Sequence, residues 1–224
     1  MKKSIIVAID EHNYIKFDEI IEKIDPQLCM VKIGSVSFNS LGRDCVIKTA
    51  KRGFDIFLDL KLHDIPNTVN KSIKGLTDLP IRMLTVHTSG GRKMLEGSVL
   101  ALQETEIKVF GVTALTSLSN NDTKYIYKRS AEDQVLAMIQ LAKEAQIDGV
   151  VCSPHELELV KNNSNLLTIT PGIRLHNNNT NDQARTMSPI DAIKNGSDYI
   201  VIGRPITSSN DISKTLSEIY ESIY

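Results

Sequence analysis

The sequence predicts an α/β protein, a (β/α)₈ TIM barrel forming a single domain over residues 1–224. Three observations predict it. Short apolar runs alternate with segments of helical period from end to end, eight such runs occur, and 224 residues suit eight strand–helix units near the short end of the barrel's size range. A doubly wound open sheet is the alternative, but no Gly-x-Gly-x-x-Gly follows the first run.

The expected strands, in order, are Ile5–Ile9, Met30–Ile33, Ile56–Leu60, Met83–Val86, Val109–Val112, Gly149–Cys152, Leu167–Ile169 and Tyr199–Ile202. Each is a short β-rich run of the kind buried on both faces of a parallel sheet. Between them, Val135, Ile139 and Ala142 recur at spacings of four and three, as do Ile212, Leu216, Ile219 and Ile223, which marks amphipathic helices. Ser153-Pro154-His155-Glu156 and Ser188-Pro189-Ile190-Asp191 each supply an N-cap, a proline at the first helical position and an acid at the third. The stretch His176–Asp182 is too polar for anything but a loop. No linker, fixed-period repeat or second domain interrupts the pattern.

Composition narrows the function classes. The formal charge is -1 and no basic tract occurs, so nucleic acid and anionic membranes are unsuited as main partners. There is no Trp, and the few Tyr and Phe are scattered, so no stacking platform is evident. Cys29, Cys45 and Cys152 share no close spacing, which argues for small buried residues in a reducing compartment over a disulfide framework or zinc site. Acidic residues Asp10 and Glu11 interrupt the N-terminal apolar run, so neither a signal peptide nor a membrane span is expected. The expectation is a soluble, cytoplasmic protein.

Chemistry in such a barrel belongs at the C-terminal ends of the strands. The richest segment there is Asp59-Leu-Lys-Leu-His-Asp-Ile-Pro-Asn-Thr68. Asp59 falls where the third strand should end, and strand alternation projects Lys61 to the same side. Asp64 follows in the turn, and Pro66 suits the first turn of the next helix. A structural ion pair at a strand end is the plain alternative. The other strand ends carry Asp10, Lys32, His87, Thr113 with Thr116, Ser153, Arg174 and Gly203-Arg204. Asp10 and Asp59 balance Lys32 and Lys61, so four charges at one mouth could stay ionised. Gly203-Arg204, after the last strand, stands where barrels commonly hold phosphate, and Arg174 could add a bidentate contact. Each Arg could equally cap the barrel end. The loop from Arg174 to Met187 is long and polar enough for a lid, or for a simple solvated connection.

The decapeptide at residues 59–68 resembles the signature of the orotidine 5′-phosphate decarboxylase family. The likeness covers nearly the whole chain, through Ala8-Ile9-Asp10, Val31-Lys32-Ile33-Gly34, Val86-His87-Thr88-Ser89-Gly90-Gly91, Leu115-Thr116-Ser117, Pro171-Gly172-Ile173-Arg174 and Ile202-Gly203-Arg204-Pro205. The departures are small: Ile9 and Thr88 replace the usual Leu and Ala, and the lid loop is Asn-rich. The resemblance implies a cofactor-free, metal-free conversion of orotidine 5′-monophosphate to uridine 5′-monophosphate and carbon dioxide, the last step of de novo pyrimidine nucleotide synthesis. It implies that Lys61 protonates C6, Asp59 sits against the departing carboxylate, and Lys32 pairs with Asp59 and the ribose hydroxyls. Asp10 would bind the ribose, Thr116 and Ser119 the base, and Arg174, Gln183, Gly203 and Arg204 the phosphate. It further implies a homodimer in which Asp64, with Thr68 beside it, reaches the partner's site, and in which Ile65 also lies against substrate.

Two rivals differ in class. A metal-dependent sugar-phosphate decarboxylase or aldolase-type relative shares Asp-x-Lys-x-x-Asp but has an acidic residue for magnesium at the second strand, where this chain has Lys32. A non-catalytic sensor of phosphate ligands would keep the barrel mouth, yet it gives no reason for Lys61 beside Asp59 and Asp64.

Overall fold

In the computed structural model, which describes residues 3–175 and 186–224, eight parallel strands close into a barrel in sequence order. They are β1 (Ile5–Ile9), β2 (Cys29–Gly34), β3 (Ile56–Leu62), β4 (Met83–His87), β5 (Lys108–Val112), β6 (Gly149–Val151), β7 (Leu167–Thr170) and β8 (Tyr199–Ile202). The ring closes where Ile5, Ile6 and Val7 pair with Ile200, Val201 and Ile202. Around it run α1 (Tyr14–Lys23), α2 (Ser35–Leu41), α3 (Arg43–Lys51), α4 (Pro66–Lys74), α5 (Arg92–Leu102), α6 (Asn120–Tyr127), α7 (Ala131–Glu144), α8 (Leu157–Asn163), α9 (Pro189–Lys194), α10 (Arg204–Thr207) and α11 (Ile212–Ile223). The predicted fold class is the one observed.

Alternation along the strands sorts the apolar residues into two cores. Ile6, Ala8, Met30, Phe57, Met83, Phe110, Ile169 and Val201 fill the barrel itself. Their neighbours one residue away, such as Ile5, Val7, Ile9, Val31, Ile33 and Leu58, face outward and pack under the helices. A residue two places beyond an interior residue therefore also points inward, now at the open end. Asp10 follows Ala8 in this way, Lys32 follows Met30, Asp59 follows Phe57 and Thr85 follows Met83.

Helix starts use the signals in the sequence. Ser188 caps α9, its hydroxyl accepting from the Asp191 backbone N–H at 3.1 Å. Ser153 and Glu156 form a reciprocal capping box, but it opens a short 3₁₀ turn at Pro154–Glu156 before α8. At the end of the barrel away from the mouth, Asp148 accepts the Val109 N–H at 2.8 Å and Asp198 the Thr168 N–H at 3.0 Å. These carboxylates satisfy donors of the second residue of β5 and of β7.

The largest departure from the expected elements lies in β3. It continues to Leu62, so Asp59 sits within the strand and not at its end. Against β4 the register reads Phe57 to Met83 and Leu58 to Leu84, then jumps to Leu62 opposite Val86. Four residues of β3 thus span two of β4. The surplus is even, so the strand keeps its facing, but Lys61 takes a left-handed backbone with φ of 50°. A non-glycine residue there carries strain of about 1–3 kcal/mol.

Candidate active site

The surplus in β3 delivers Asp59 and Lys61 together into the barrel mouth. Lys61 Nζ lies 2.7 Å from Asp59 Oδ2. Lys32, from β2, reaches the same oxygen at 3.5 Å and Asp10 Oδ1 at 3.1 Å. The chain of charges runs Asp10, Lys32, Asp59, Lys61, alternating in sign along its length. Gly34 leaves room for it: a Cβ there would stand 2.9 Å from Lys32 Nζ and 3.0 Å from Asp10 Oδ1.

Asp59 is 7 % exposed. Burial works against its ionisation, but the ammonium groups of Lys32 and Lys61, with hydrogen bonds from Lys61 and Thr85, outweigh it. Together they hold the carboxyl below its ordinary value. The four-charge cluster is therefore no casual surface pairing, since Asp59 stays charged where water cannot fully solvate it.

A cavity of about 500 Å³ opens above this cluster. Asp10, Lys32, Asp59 and Lys61 form one side, Thr116 and Leu115 border it after β5, and Pro171, Gly172, Arg174, Gly203 and Arg204 close the side beyond β7 and β8. Arg174 is set by its backbone, which pairs with Met187 at 3.0 Å across an isolated bridge between Ile173 and Met187. Thr207 and Ser208 also line the space. Among the described residues no group of His, Cys, Asp and Glu is arranged to hold a metal ion. The three cysteines are unpaired and buried, and burial pushes the Cys45 thiol up to about 11. Cys152, at the cavity floor, is raised further for the same reason.

Not every residue expected at the site lies on this chain's cavity. Ser119 does not: it caps α6, donating to Asp122 Oδ2 at 2.6 Å and accepting from the Asp122 N–H at 3.2 Å. The helix start claims a hydroxyl that was expected to meet the base. Asp64, Ile65 and Thr68 are exposed and absent from the lining, with Asp64 accepting the Ile65 N–H at 2.6 Å. Gln183 lies outside the described residues, as does most of the expected lid. His87 also stays out of the cavity. Its ring stacks on His63 at 5.1 Å, and Ser89 Oγ meets its Nδ1 at 2.7 Å. Burial, then the nearby His63 and Lys61, lower its basicity.

One residue at the mouth carries no charge and draws no notice in the sequence. Thr85 is fully buried, donates to Asp59 Oδ1 at 2.9 Å and accepts the Lys61 N–H at 2.8 Å. The signal for it was the spacing of two from Met83, which places it inward and next to the third strand.

The chain is similar to proteins of known name along almost its full length. A protein of Saccharophagus degradans named orotidine 5′-phosphate decarboxylase is 42 % identical over 220 residues, covering 96 % of this chain and 92 % of the relative. One of Vibrio cholerae with the same name is 43 % identical over 225 residues, covering 98 % and 97 %. The crystal structure of orotidine 5′-phosphate decarboxylase from Lactobacillus acidophilus superposes with a TM-score of 0.87 at 35 % identity, covering 99 % of both chains. With residues 3–219 matching that family as a whole, the chain belongs to the orotidine 5′-phosphate decarboxylase / HUMPS family.

Proposed function

We propose that this chain is an orotidine-5′-phosphate decarboxylase. It converts orotidine 5′-monophosphate to uridine 5′-monophosphate and carbon dioxide, the last step of de novo pyrimidine nucleotide synthesis, without cofactor or metal. The observation that carries the reading is the Lys61 ammonium held 2.7 Å from the buried Asp59 carboxylate at the floor of a cavity flanked by Arg174 and Arg204. Relatives 42 % and 43 % identical that bear the decarboxylase name support it.

The chemistry follows from charge. When the bond from C6 to the carboxylate breaks, carbon dioxide leaves and the electron pair stays on C6, where no adjacent carbonyl delocalises it well. An ammonium fixed beside that carbon stabilises the developing charge and then donates its proton, leaving Lys61 as the amine until solvent restores it. Asp59 faces the substrate carboxylate, and their repulsion is relieved as carbon dioxide forms. Lys32 holds Asp59 and, with Asp10, the ribose; Thr116 borders the base. Arg174, Gln183, Gly203 and Arg204 take the phosphate, whose binding free energy can hold two like charges together at the other end of the substrate.

The reading includes a homodimer. Asp64, Ile65 and Thr68 are exposed beside the mouth yet contribute nothing to their own cavity, as expected of residues that complete a partner's site. It also places residues 1–224 in one functional unit in the cytoplasm, in keeping with three unpaired buried cysteines. Among the described residues no helix is long and apolar enough to cross a membrane.

The rival is a metal-dependent sugar-phosphate decarboxylase or aldolase-type reaction. Against a metal-dependent reaction of that kind stands Lys32, whose ammonium occupies the space between Asp10 and Asp59 where a cation would have to bind. The test is incubation of the purified protein with orotidine 5′-monophosphate, with and without a chelator, following the ultraviolet change of the pyrimidine. Turnover unaffected by the chelator is expected. No change at micromolar enzyme refutes the proposal, and turnover abolished by chelation transfers it to the metal-dependent class.

A further inference from the structure

The jump in register between β3 and β4 leaves a problem that one side chain solves. Asp59, Leu60 and Lys61 stand opposite the single residue Thr85, a surplus of two, between pairs at Leu58–Leu84 and Leu62–Val86. Lys61 is held in the left-handed region at φ 50°. Thr85 is the residue of β4 opposite this surplus and is fully buried. Its hydroxyl has one proton to give. The Lys61 backbone N–H can only donate, so the hydroxyl must accept it, at 2.8 Å, and its own proton goes to Asp59 Oδ1, at 2.9 Å. The direction of both bonds is thereby forced. Oδ1 of Asp59 is then engaged by a neutral group, and Oδ2 is the oxygen presented to Lys61 and Lys32.

We infer that Thr85 is a positioning residue of the decarboxylase: through one hydroxyl it fixes the rotation of the Asp59 carboxylate and the backbone from which Lys61 extends, and so sets the aim of the proton donor. This rests on the decarboxylation reading above. Thr85 does not line the cavity, so its effect on the reaction passes through Asp59 and Lys61. The groups expected to hold base and phosphate belong to segments after β5, β7 and β8, whereas the hydrogen bonds of the Thr85 hydroxyl go to Asp59 and Lys61. Losing the hydroxyl should therefore disturb the reacting end of the substrate and spare the binding end.

Thr85→Val keeps the branched shape and removes the hydroxyl, while Thr85→Ser keeps the hydroxyl and removes the methyl. We expect kcat for orotidine 5′-monophosphate to fall about 10–100-fold in the Val variant, the scale of a small misplacement of reacting groups. Its KM, and its affinity for uridine 5′-monophosphate measured by titration calorimetry, should stay within about threefold of the unmodified protein. The Ser variant should retain kcat within about threefold by the same comparison. If Val does not fold, as judged by circular dichroism, Thr85→Ala is read in its place, since it adds no apolar group beside Asp59. A hydroxyl-free variant with native-like kcat, a loss confined to KM, or a Ser variant that falls as far as the hydroxyl-free one overturns the inference. Inactivity of the unmodified protein overturns the decarboxylation reading and this inference with it, whereas a native-like variant beside an active unmodified protein overturns the inference alone.

Discussion

Asp59 shows how one buried charge depends on its neighbours. Two ammonium groups share its Oδ2, and Thr85 holds its Oδ1. Replacing it by Asn leaves Lys32 and Lys61 facing each other without the anion between them. Breaking a fully buried pair costs about 3–5 kcal/mol, but the Lys61 side chain is 39 % exposed, so solvent screening brings the expected loss down to about 2 kcal/mol. The pH dependence has a definite sign. Because the folded-state value of Asp59 lies below that of an unfolded carboxyl, its contribution is full above about pH 4 and is lost as the pH falls through the depressed folded value. The difference in thermal midpoint between the unmodified protein and Asp59→Asn should accordingly be constant near neutrality and narrow below about pH 4. A difference that widened on acidification would show that Asp59 is not held ionised by its neighbours. The charges themselves were legible in the sequence, since Asp10, Lys32, Asp59 and Lys61 all fall near or just past the C-terminal ends of the expected strands. Thr85 was not, because a neutral hydroxyl among apolar strand residues reads as β-propensity until its partners are known.

At the scale of elements, the strands differ in what they demand of their residues. In β6 the interior position is Gly149, and Phe110 from β5 fills the space its missing side chain leaves. The Phe110 ring meets Phe57 at 6.5 Å and Tyr199 at 6.4 Å, both edge-on. A Cβ on Gly149 would stand 2.4 Å from the Leu167 carbonyl oxygen and 2.4 Å from the Phe110 ring. Neither backbone nor an interlocked ring can yield cheaply. Gly149→Ala should therefore destabilise the protein by about 1–3 kcal/mol or more, measured by denaturant unfolding, through overpacking of the barrel. An unchanged midpoint would mean that the aromatic layer can shift as a body. The strand positions were legible as apolar runs, and all eight were placed to within two residues at either end. The extension of β3 was missed because Lys61 and Leu62 continue a strand through a register jump that only pairing with β4 reveals. The 3₁₀ turn after Ser153 was missed for a related reason: an N-cap followed by proline signals a helical start but does not distinguish its pitch.

The whole molecule raises the question of where a complete site resides. A run from His63 to Thr68, including Ile65 at 66 % exposure, is exposed beside the mouth. If two copies exchange these residues, each site takes Lys61 from one chain and Asp64 from the other. Lys61→Ala and Asp64→Ala proteins should each be nearly inactive alone. Mixed in equal amounts and allowed to exchange subunits, they should regain activity at about one site in four, because half of randomly paired dimers are mixed and each of those has one intact site. Absence of recovery, with exchange confirmed by mass spectrometry of differently tagged chains, would assign Asp64 to its own chain.

The sequence by itself determined the barrel, the order of its elements and the identity of the charged groups at its mouth. These follow from apolar periodicity and from strand ends, both of which are local in the chain. Only the tertiary structure decided how those groups meet. It set the order of the charges from Asp10 to Lys61, left His87 stacked on His63, and brought Thr85 to the surplus in β3. Each of these depends on the register between neighbouring strands. Such relations join residues distant in sequence, and no local pattern encodes them.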